Sequence, residues 1–203
     1  MDIYCINLEE RKDRWEAQQK NIKENNFKGN LIQLEGEKRK SGSLGCGLSH
    51  LKAINLAKEN KMESILVIED DCVFNENSYD LFCKCRDQLP EEWDILVGGT
   101  SWIRKINKRE SENLVKLEDF AATHFMYYHA SSYDKILKWN ESYRPKNIDR
   151  YIGSLSKQNK LKVYCSSPFI ANQAVGKSDV TNRTTNYTKL FQTCENKVVQ
   201  FKS

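Results

Sequence analysis

Short apolar runs that end abruptly in charged residues alternate with helix-like segments along this chain. The clearest runs cover residues 3–8, 64–68 and 94–97, and residues 123–128 and 161–165 are further strand candidates. Runs rich in Ile, Val and Leu with little polar alternation are typical of central strands in an α/β sheet. The pattern therefore predicts a sheet whose strands are covered by helices on both faces.

Apolar residues at helical spacing fill the intervals between these strands. The longest stripe consists of Leu44, Leu48, Leu51, Ile54 and Ala57. Ser43 precedes it and is predicted to cap this helix. Further helices are predicted over 11–25, after the serines at 131 and 132, and over 148–155. This alternation predicts one layered α/β domain over residues 1–203, with 180–203 as a polar, irregular C-terminal tail.

Composition excludes several classes of protein. The 32 basic and 28 acidic residues are interspersed and give a net charge of +4, whereas nucleic-acid-binding proteins concentrate basic residues on one face. The cysteines number seven, an odd count that favours reduced, half-buried thiols over a disulfide framework. No run approaches the ~20 apolar residues of a membrane helix, and the N-terminus lacks the pattern of a signal peptide. We therefore expect no nucleic acid partner, no transmembrane segment and a cytoplasmic location.

Three consecutive carboxylates, Glu69, Asp70 and Asp71, follow the apolar run 65–68. Ligands of open α/β sheets bind beyond the carboxyl ends of the strands. Crowded carboxylates repel one another unless they share a cation, and Mg²⁺ or Mn²⁺ takes oxygen ligands and also holds diphosphates. Alternation along an extended segment predicts that Glu69 and Asp71 face the metal while Asp70 bonds to sugar or backbone. An acidic strand end that faces water or caps a turn is an equal alternative at this point.

Two other segments carry groups suited to an anionic ligand. Asn7, Arg11 and Arg14 follow the first apolar run, and an arginine fork matches phosphate or a uracil carbonyl. A solvated start of a helix is the structural alternative. The hexapeptide GCGLSH at 45–50 opens the second predicted helix, where glycines and free N–H groups favour close approach of an anion. Taken alone, His50 is more often a structural hydrogen-bonding residue.

Asp149 stands at the beginning of the predicted helix 148–155. Aspartate is a preferred N-cap residue, and an aspartate at the mouth of a sheet can also act as a general base. The sequence contains no Walker A loop, no G-x-G-x-x-G motif and no recognisable Ser-His-Asp arrangement, which excludes several common enzyme classes.

In their order, these segments resemble glycosyltransferase family 25, which includes bacterial lipooligosaccharide sugar transferases and procollagen galactosyltransferases. Residues 6–14 resemble the family's I-N-L-x-x-R-x-x-R, residues 45–50 its G-C-A-L-S-H, residues 66–71 its L-x-x-E-D-D and residues 94–99 its D-I-L-x-x-G. Weaker similarities lie at 123–127, 147–149, 168–173 and 178–180. Gly47 stands where the family has alanine, a replacement that a small position is expected to tolerate. The proline that precedes the aspartate in the family is displaced here to Pro145.

The resemblance implies a GT-A-like (Rossmann-type) α/β fold with a mixed sheet, a UDP-sugar donor and a divalent metal, usually Mn²⁺. It also implies inverting chemistry, which needs a base near the acceptor and a Lewis acid on the leaving diphosphate. The resemblance thus implies a site with Glu69 and Asp71 as metal ligands and Asp149 as catalytic base. Its donor-binding residues are Asn7, Arg11, Arg14, Ser49, His50 and Asp70. His124 and Asp179 are candidates for a third metal ligand.

The function expected from this resemblance is metal-dependent transfer of a hexose, galactose or glucose, from a UDP-sugar to a saccharide or a hydroxylated protein acceptor. A non-catalytic sugar-nucleotide-binding or scaffold domain of the same fold is the alternative. The stretch 100–111, with Trp102, is either part of the acceptor site or a loop.

Overall fold

The computed structural model describes residues 1–143, 147–178 and 183–202. Its elements in chain order are β1 (Asp2–Asn7), α1 (Lys12–Glu24), β2 (Asn30–Glu35), α2 (Gly42–Glu59), β3 (Ser64–Glu69), β4 (Cys72–Phe74), α3 (Ser78–Asp87), β5 (Ile95–Val97), β6 (Trp102–Ser111), β7 (Leu114–Ala121), β8 (Phe125–His129), α4 (Ala130–Ile136), α5 (Ile148–Lys157), β9 (Val163–Ser166), β10 (Ala171–Gln173), β11 (Gly176–Ser178), β12 (Arg183–Thr185) and α6 (Thr188–Gln200).

Eight of these strands form one mixed sheet in the order β2-β1-β3-β8-β5-β9-β7-β6. Strand β1 pairs in parallel with β2 and β3, and β8 runs antiparallel between β3 and β5. Strand β9 is parallel to β5, and the antiparallel β7 and β6 complete the sheet. The predicted α/β fold with a mixed sheet and flanking helices is confirmed.

The alternation of side chains along β3 feeds two hydrophobic cores, one on each face of the sheet. Ile65 and Val67 belong to the core that α2, α5 and α6 cover. Leu66 and Ile68 belong to the core on which α3 packs, with Trp15 of α1 at its margin. Because both faces of β3 are covered, its buried residues read as a continuous apolar run. The carboxyl end of β3 therefore opens between two helical layers.

The residues that cap three of the helices differ from the caps predicted from the sequence. The N-cap of α2 is Ser41, so the prediction of Ser43 is wrong. The N-cap of α4 is His129, whose Nδ1 accepts a hydrogen bond from the Ser131 N–H at 3.3 Å, so neither predicted serine caps that helix. Asn147 precedes α5, which places Asp149 inside the first turn rather than at the N-cap. Capping preference alone leaves an ambiguity of one or two residues.

The segment 180–203 is not irregular throughout, because it contains α6. This helix buries Phe191, Cys194 and Val198, which are spaced along one face. Arg109 of β6 donates hydrogen bonds to the carbonyl oxygens of Phe201, at 2.8 Å, and of Val198, which satisfies the last turn of the helix. The polar residues of α6, such as Gln192, Thr193, Asn196 and Lys197, lie on its exposed face.

The stretch 100–111, for which a loop was one of two expectations, contains the whole of the edge strand β6. Lysine and arginine side chains occupy its outer positions, as is common on exposed sheet edges. Within the described ranges, the structure has no helix that combines the length and the apolar character needed to cross a membrane.

Candidate active site

Two cavities meet at the carboxyl end of β3. The first has a volume of about 460 Å³ and the second a volume of about 260 Å³. Cys46, Glu69 and Asp71 line both. The predicted acidic segment thus lies where the two cavities adjoin, at the edge of the sheet where α/β proteins bind ligands.

The first cavity combines basic and acidic side chains. Its charged residues are Arg11, Arg14, Lys38, Arg39, Glu10, Glu37, Glu69, Asp70 and Asp71. Asn7 and Ser49 also line it. Four basic residues face five acidic ones, so a bound divalent cation would turn the cavity into a favourable environment for a diphosphate.

The second cavity is acidic. It is lined by Ser43, Ser101, Ala121, Ala122, Thr123, Asn147, Ile148, Asp149, Gln173 and Tyr187, besides the three shared residues. Glu69, Asp71 and Asp149 are its carboxylates, and no lysine or arginine of the described chain lines it. The two cavities therefore differ in electrostatic character on either side of the same acidic segment.

Glu69 is held by three neighbours through one oxygen. Its Oε1 accepts a hydrogen bond from Thr123 Oγ1 at 2.5 Å and lies 3.3 Å from His50 Nε2 and 3.8 Å from Cys46 Sγ. The other ring nitrogen of His50 lies 3.1 Å from the Tyr128 hydroxyl. Burial raises the pKa of Glu69, but the hydrogen bond and attraction of His50 and the Thr123 hydroxyl outweigh this effect and leave the pKa below its usual value. The carboxylate is thereby ionised and fixed in orientation.

Asp70 faces the first strand and helix. Its Oδ2 accepts a hydrogen bond from Asn7 Nδ2 at 2.8 Å, and its Oδ1 accepts one from Arg14 Nη1 at 2.6 Å. Burial raises the pKa of Asp70, and the charge of Arg14 and the bond from Asn7 oppose that rise. Asp70 is absent from the lining of the second cavity. Glu69 and Asp71 line that cavity together, although residues 70 and 71 form a turn after β3 and not the extended segment from which the alternation was predicted.

Asp71 is the carboxyl group of the three with the fewest close donors. Gln173 Nε2 lies 3.5 Å and 3.4 Å from its two oxygens, and Arg14 Nη1 lies 4.0 Å from Oδ2. Burial and the charges of Glu69 and Asp70 raise the pKa of Asp71 to about 7. This repulsion would be relieved by a shared divalent cation, so the chemistry of Glu69 and Asp71 fits Mn²⁺ or Mg²⁺.

Ser49 and His50 are placed differently from the arginines. The Ser49 hydroxyl accepts a hydrogen bond from the Glu37 N–H at 2.7 Å and donates one to the Gly45 carbonyl at 2.8 Å, so it fixes the loop before α2. His50 is fully buried behind Glu69. The structure therefore does not bring His50 to a position where its side chain contacts a donor.

The glycines of the hexapeptide serve packing rather than anion binding. The N–H of Gly45 donates to the Ser41 carbonyl at 3.0 Å and is not available to a ligand. A Cβ atom on Gly45 would lie 2.3 Å from the Glu37 carbonyl oxygen, and one on Gly47 would lie 2.4 Å from the Trp139 ring. Both positions need glycine because neighbouring groups approach the helix closely.

Asp149 lies on the wall of the second cavity. Its Oδ2 accepts a hydrogen bond from the Ala122 N–H at 3.1 Å and its Oδ1 one from the Arg150 N–H at 2.7 Å. Burial raises its pKa in spite of these bonds. Ala122 has a φ of 102°, a strained conformation for a residue with a side chain, and such strain is concentrated at functional sites.

The sequence did not single out Thr123, Gln173 or Cys46 for this site. Thr123 reaches Glu69 from the segment before β8, and Gln173 reaches Asp71 from β10. Both are distant from the carboxylates along the chain. Cys46 and His50 are four residues apart on α2, and this spacing placed both on one face. Ligand atoms of Cys46, His50 and Glu69 lie within 4.8 Å of one another.

His124, one of the two candidates for a third metal ligand, lines neither of the two cavities. His124 is fully buried, and its Nε2 lies 3.1 Å from the Ala171 carbonyl oxygen. Burial lowers the pKa of His124 to about 4. Asp179 lies outside the described residues, as do Pro145 and Val180 of the weaker motifs.

The fold and the acidic segment define a GT-A-like domain with its ligand site beyond β3. The family model of glycosyltransferase family 25 (LPS biosynthesis protein) matches residues 31–156. The chain belongs to this family and is a glycosyltransferase by class.

Two of the solved structures with a similar fold cover nearly the whole chain. The protein A197 from STIV is 12% identical, with a TM-score of 0.52 over 91% of this chain and 94% of that one. A glycosyltransferase involved in the glycosylation of the major capsid of PBCV-1 is 9% identical, with a TM-score of 0.54 over 96% of this chain and 98% of that one. A comparison with curated protein sequences gave no match. At these identities the structural similarity shows the fold alone.

Proposed function

We propose that the chain transfers a hexose, galactose or glucose, from a UDP-sugar to a saccharide or a hydroxylated protein side chain, with a divalent metal and inversion at the anomeric carbon. The observation that carries this proposal is the junction of two cavities of different charge at Glu69 and Asp71. A two-substrate transfer requires two such compartments with the reacting atoms between them.

The first cavity suits the donor. Its volume of about 460 Å³ is within the range of small-molecule sites, which is roughly 300–1,000 Å³. Arg11, Arg14, Lys38 and Arg39 supply donors for phosphate and for the uracil carbonyls. In this proposal Asn7 and Asp70 position Arg14 and the start of α1, and Ser49 shapes the loop that closes the cavity.

Glu69 and Asp71 are the proposed ligands of Mn²⁺ or Mg²⁺. The ion, when bound, would neutralise charge on the leaving diphosphate as a Lewis acid. Thr123 and His50 orient Glu69 toward this role, in the manner of outer partners that fix metal ligands. The donor cavity contains more acidic than basic residues, so we expect nucleotide binding to depend on the cation.

Asp149 is the proposed base in the second cavity. The acceptor hydroxyl oxygen attacks the anomeric carbon of the donor, and the bond from that carbon to the β-phosphate oxygen breaks. UDP leaves with the bonding electron pair, and the hydroxyl proton passes to the Asp149 carboxylate. Its two backbone hydrogen bonds hold that carboxylate in one orientation, which general base catalysis requires.

The proposal is tested by hydrolysis and binding of UDP-galactose, UDP-glucose and UDP-N-acetylglucosamine with Mn²⁺, with Mg²⁺ and with a chelator. We expect cation-dependent turnover of one donor and its loss in Asp71→Asn. Asp134→Asn, at an exposed residue of α4, is the matched control and should retain activity.

Two other outcomes separate the alternatives. Cation-dependent UDP binding without turnover of any donor, with or without saccharide acceptors, would identify the non-catalytic sugar-nucleotide-binding domain. If the folded protein showed neither binding nor turnover, the transferase and the sugar-nucleotide-binding domain would both be contradicted, and the scaffold domain would remain.

A further inference from the structure

Trp102 is a large exposed aromatic residue whose chain neighbour and strand partner line the second cavity. Its side chain is 42% exposed. The preceding residue, Ser101, lines this cavity, and so does Ala121, which pairs with Trp102 across β6 and β7. Trp102 is therefore adjacent, along the chain and across the strand pair, to residues on the acceptor side of the proposed site.

The ring of Trp102 is fixed on one face. The Arg150 guanidinium lies 4.4 Å from the ring centroid. Arg150 is itself held by Asp119, whose two carboxylate oxygens accept hydrogen bonds from Nη1 and Nη2, each at 3.1 Å. Thr100 Oγ1 donates to the Trp102 carbonyl at 2.9 Å. A ring supported in this way loses little conformational freedom when a ligand packs on its other face.

The charges around this ring discriminate against an anion. Glu69, Asp71 and Asp149 line the adjoining cavity, and the described residues place no lysine or arginine in that lining. The Arg150 charge is compensated by Asp119, which is buried. With the cation bound at Glu69 and Asp71, a negatively charged acceptor would still meet the Asp149 carboxylate at close range, with no lysine or arginine among the described lining residues to compensate it.

We propose that the acceptor is an uncharged pyranoside whose apolar face packs on Trp102 while one of its hydroxyl groups points to Asp149. This inference deepens the proposed function and rests on it. The C–H groups on one face of a pyranose are apolar, and an aromatic ring offers a flat apolar surface with a polar surround. Serine, threonine, asparagine and glutamine side chains of the cavity supply partners for the sugar hydroxyls.

The alternative is that Trp102 is one of the isolated exposed apolar residues found on any protein. Val199 on α6 is such a residue, with 52% exposure. It lines neither cavity. Val199→Ala is therefore the control for loss of exposed apolar surface outside the site.

The test measures pyranoside binding directly, by ligand-observed NMR, in the presence of UDP and Mn²⁺. The probes are methyl β-D-galactopyranoside, methyl β-D-glucopyranoside and the anionic methyl β-D-glucuronide. We expect at least one neutral glycoside to bind the wild type, with its Kd raised about tenfold in Trp102→Ala, which corresponds to about 1.4 kcal/mol. Trp102→Phe should retain part of the affinity, and Val199→Ala all of it. The glucuronide should bind about tenfold more weakly than the glucoside or not at all.

Three results would overturn the inference: no binding of either neutral glycoside to the wild type, an unchanged Kd in Trp102→Ala, or equal binding of glucuronide and glucoside. Thermal unfolding of each variant separates lost contact from lost fold. Failure of the proposed function is read separately, from donor hydrolysis by the wild type, because the glycoside measurement requires no turnover.

Discussion

The Nη1 atom of Arg14 lies 2.6 Å from Oδ1 of Asp70, and this contact joins the first turn of α1 to the end of β3. The side chains of Arg14 and Asp70 are 16% and 11% exposed. Two segments that are 56 residues apart in sequence thus meet in one ion pair at the donor cavity. The pair fixes the relative position of the basic and the acidic halves of the site.

Breaking this pair should destabilise the fold more than breaking an exposed pair. Asp70→Asn and Arg14→Gln are each expected to lower the free energy of unfolding by roughly 1–3 kcal/mol, because each removes one half of a mostly buried, hydrogen-bonded ion pair. The double variant should lose less than the two single losses combined. The measurement is urea unfolding of all four proteins.

The matched control is the Arg11–Asp13 pair, in which Asp13 is 68% exposed. Its coupling energy should be about 0–1 kcal/mol. Strict additivity at Arg14 and Asp70 would show that the close contact contributes no coupling.

Thr123→Val should impair turnover with little effect on the fold. The change keeps the branched shape but removes the hydroxyl that donates to Glu69 Oε1 at 2.5 Å. Outer partners of a metal ligand typically contribute roughly 10–100-fold to affinity or activity. We expect a loss of that size in kcat/KM for the donor and a weaker Kd for Mn²⁺. Thr193→Val, on the exposed face of α6, is the control, and equal kinetics in both variants would remove Thr123 from the site.

The raised pKa of Asp71 predicts that the stability of the metal-free protein depends on pH. Folding raises this pKa from 3.8 to about 7, so between these values the folded state binds the proton more tightly than the unfolded state does. Stability from this group is therefore lost as the pH rises through that window. Asp71→Asn removes the titration, and its stability relative to the wild type should increase as the pH rises from about 4 to about 7.

Urea unfolding in a chelator at three pH values across this window checks the prediction. Asp134→Asn should not show the increase, because the Lys58 ammonium lowers the pKa of that exposed carboxyl. A constant difference between Asp71→Asn and the wild type would mean that Asp71 titrates normally in the folded protein.

The hydrophobic pattern of the sequence predicted those elements whose apolar residues form an unbroken run or a regular stripe. Strand β3 follows an unbroken apolar run because both of its faces are covered, and α2 carries one apolar stripe. Strand β6 gave no such signal, since Arg104, Lys105 and Lys108 occupy an exposed edge and its conformation depends on pairing with β7. Tertiary pairing of this kind overrides local preference.

The same distinction applies to the site. The acidic run and the arginines are visible in sequence because they are contiguous or closely spaced. The hydrogen bond from Thr123 to Glu69 spans 54 residues, and Gln173 reaches Asp71 across 102 residues. The spacing of residues along the sequence contains no signal for such contacts. The motif also suggested His50 as a donor-binding residue, but His50 lies behind Glu69.

The close approach of Trp139 to Gly47 predicts that alanine, the usual residue of the family at this position, would destabilise this chain. A Cβ atom at position 47 would lie 2.4 Å from Cη2 and 2.8 Å from Cζ3 of Trp139, which is buried. The glycine in this chain thus makes room for a large ring. Gly47→Ala should lower the free energy of unfolding by about 1–3 kcal/mol through overpacking, as measured by urea unfolding.

A second substitution distinguishes overpacking from a general effect of alanine in α2. Because Trp139→Phe removes the part of the ring that lies closest to position 47, it should make Gly47→Ala less costly than it is in the wild type. Gly176→Ala is the control, since a Cβ atom there would have no neighbour within 4 Å, and its effect should stay within about 0.5 kcal/mol. If Gly47→Ala were as stable as the wild type, the ring of Trp139 would have to move freely, and the close packing of α2 against it would not constrain position 47.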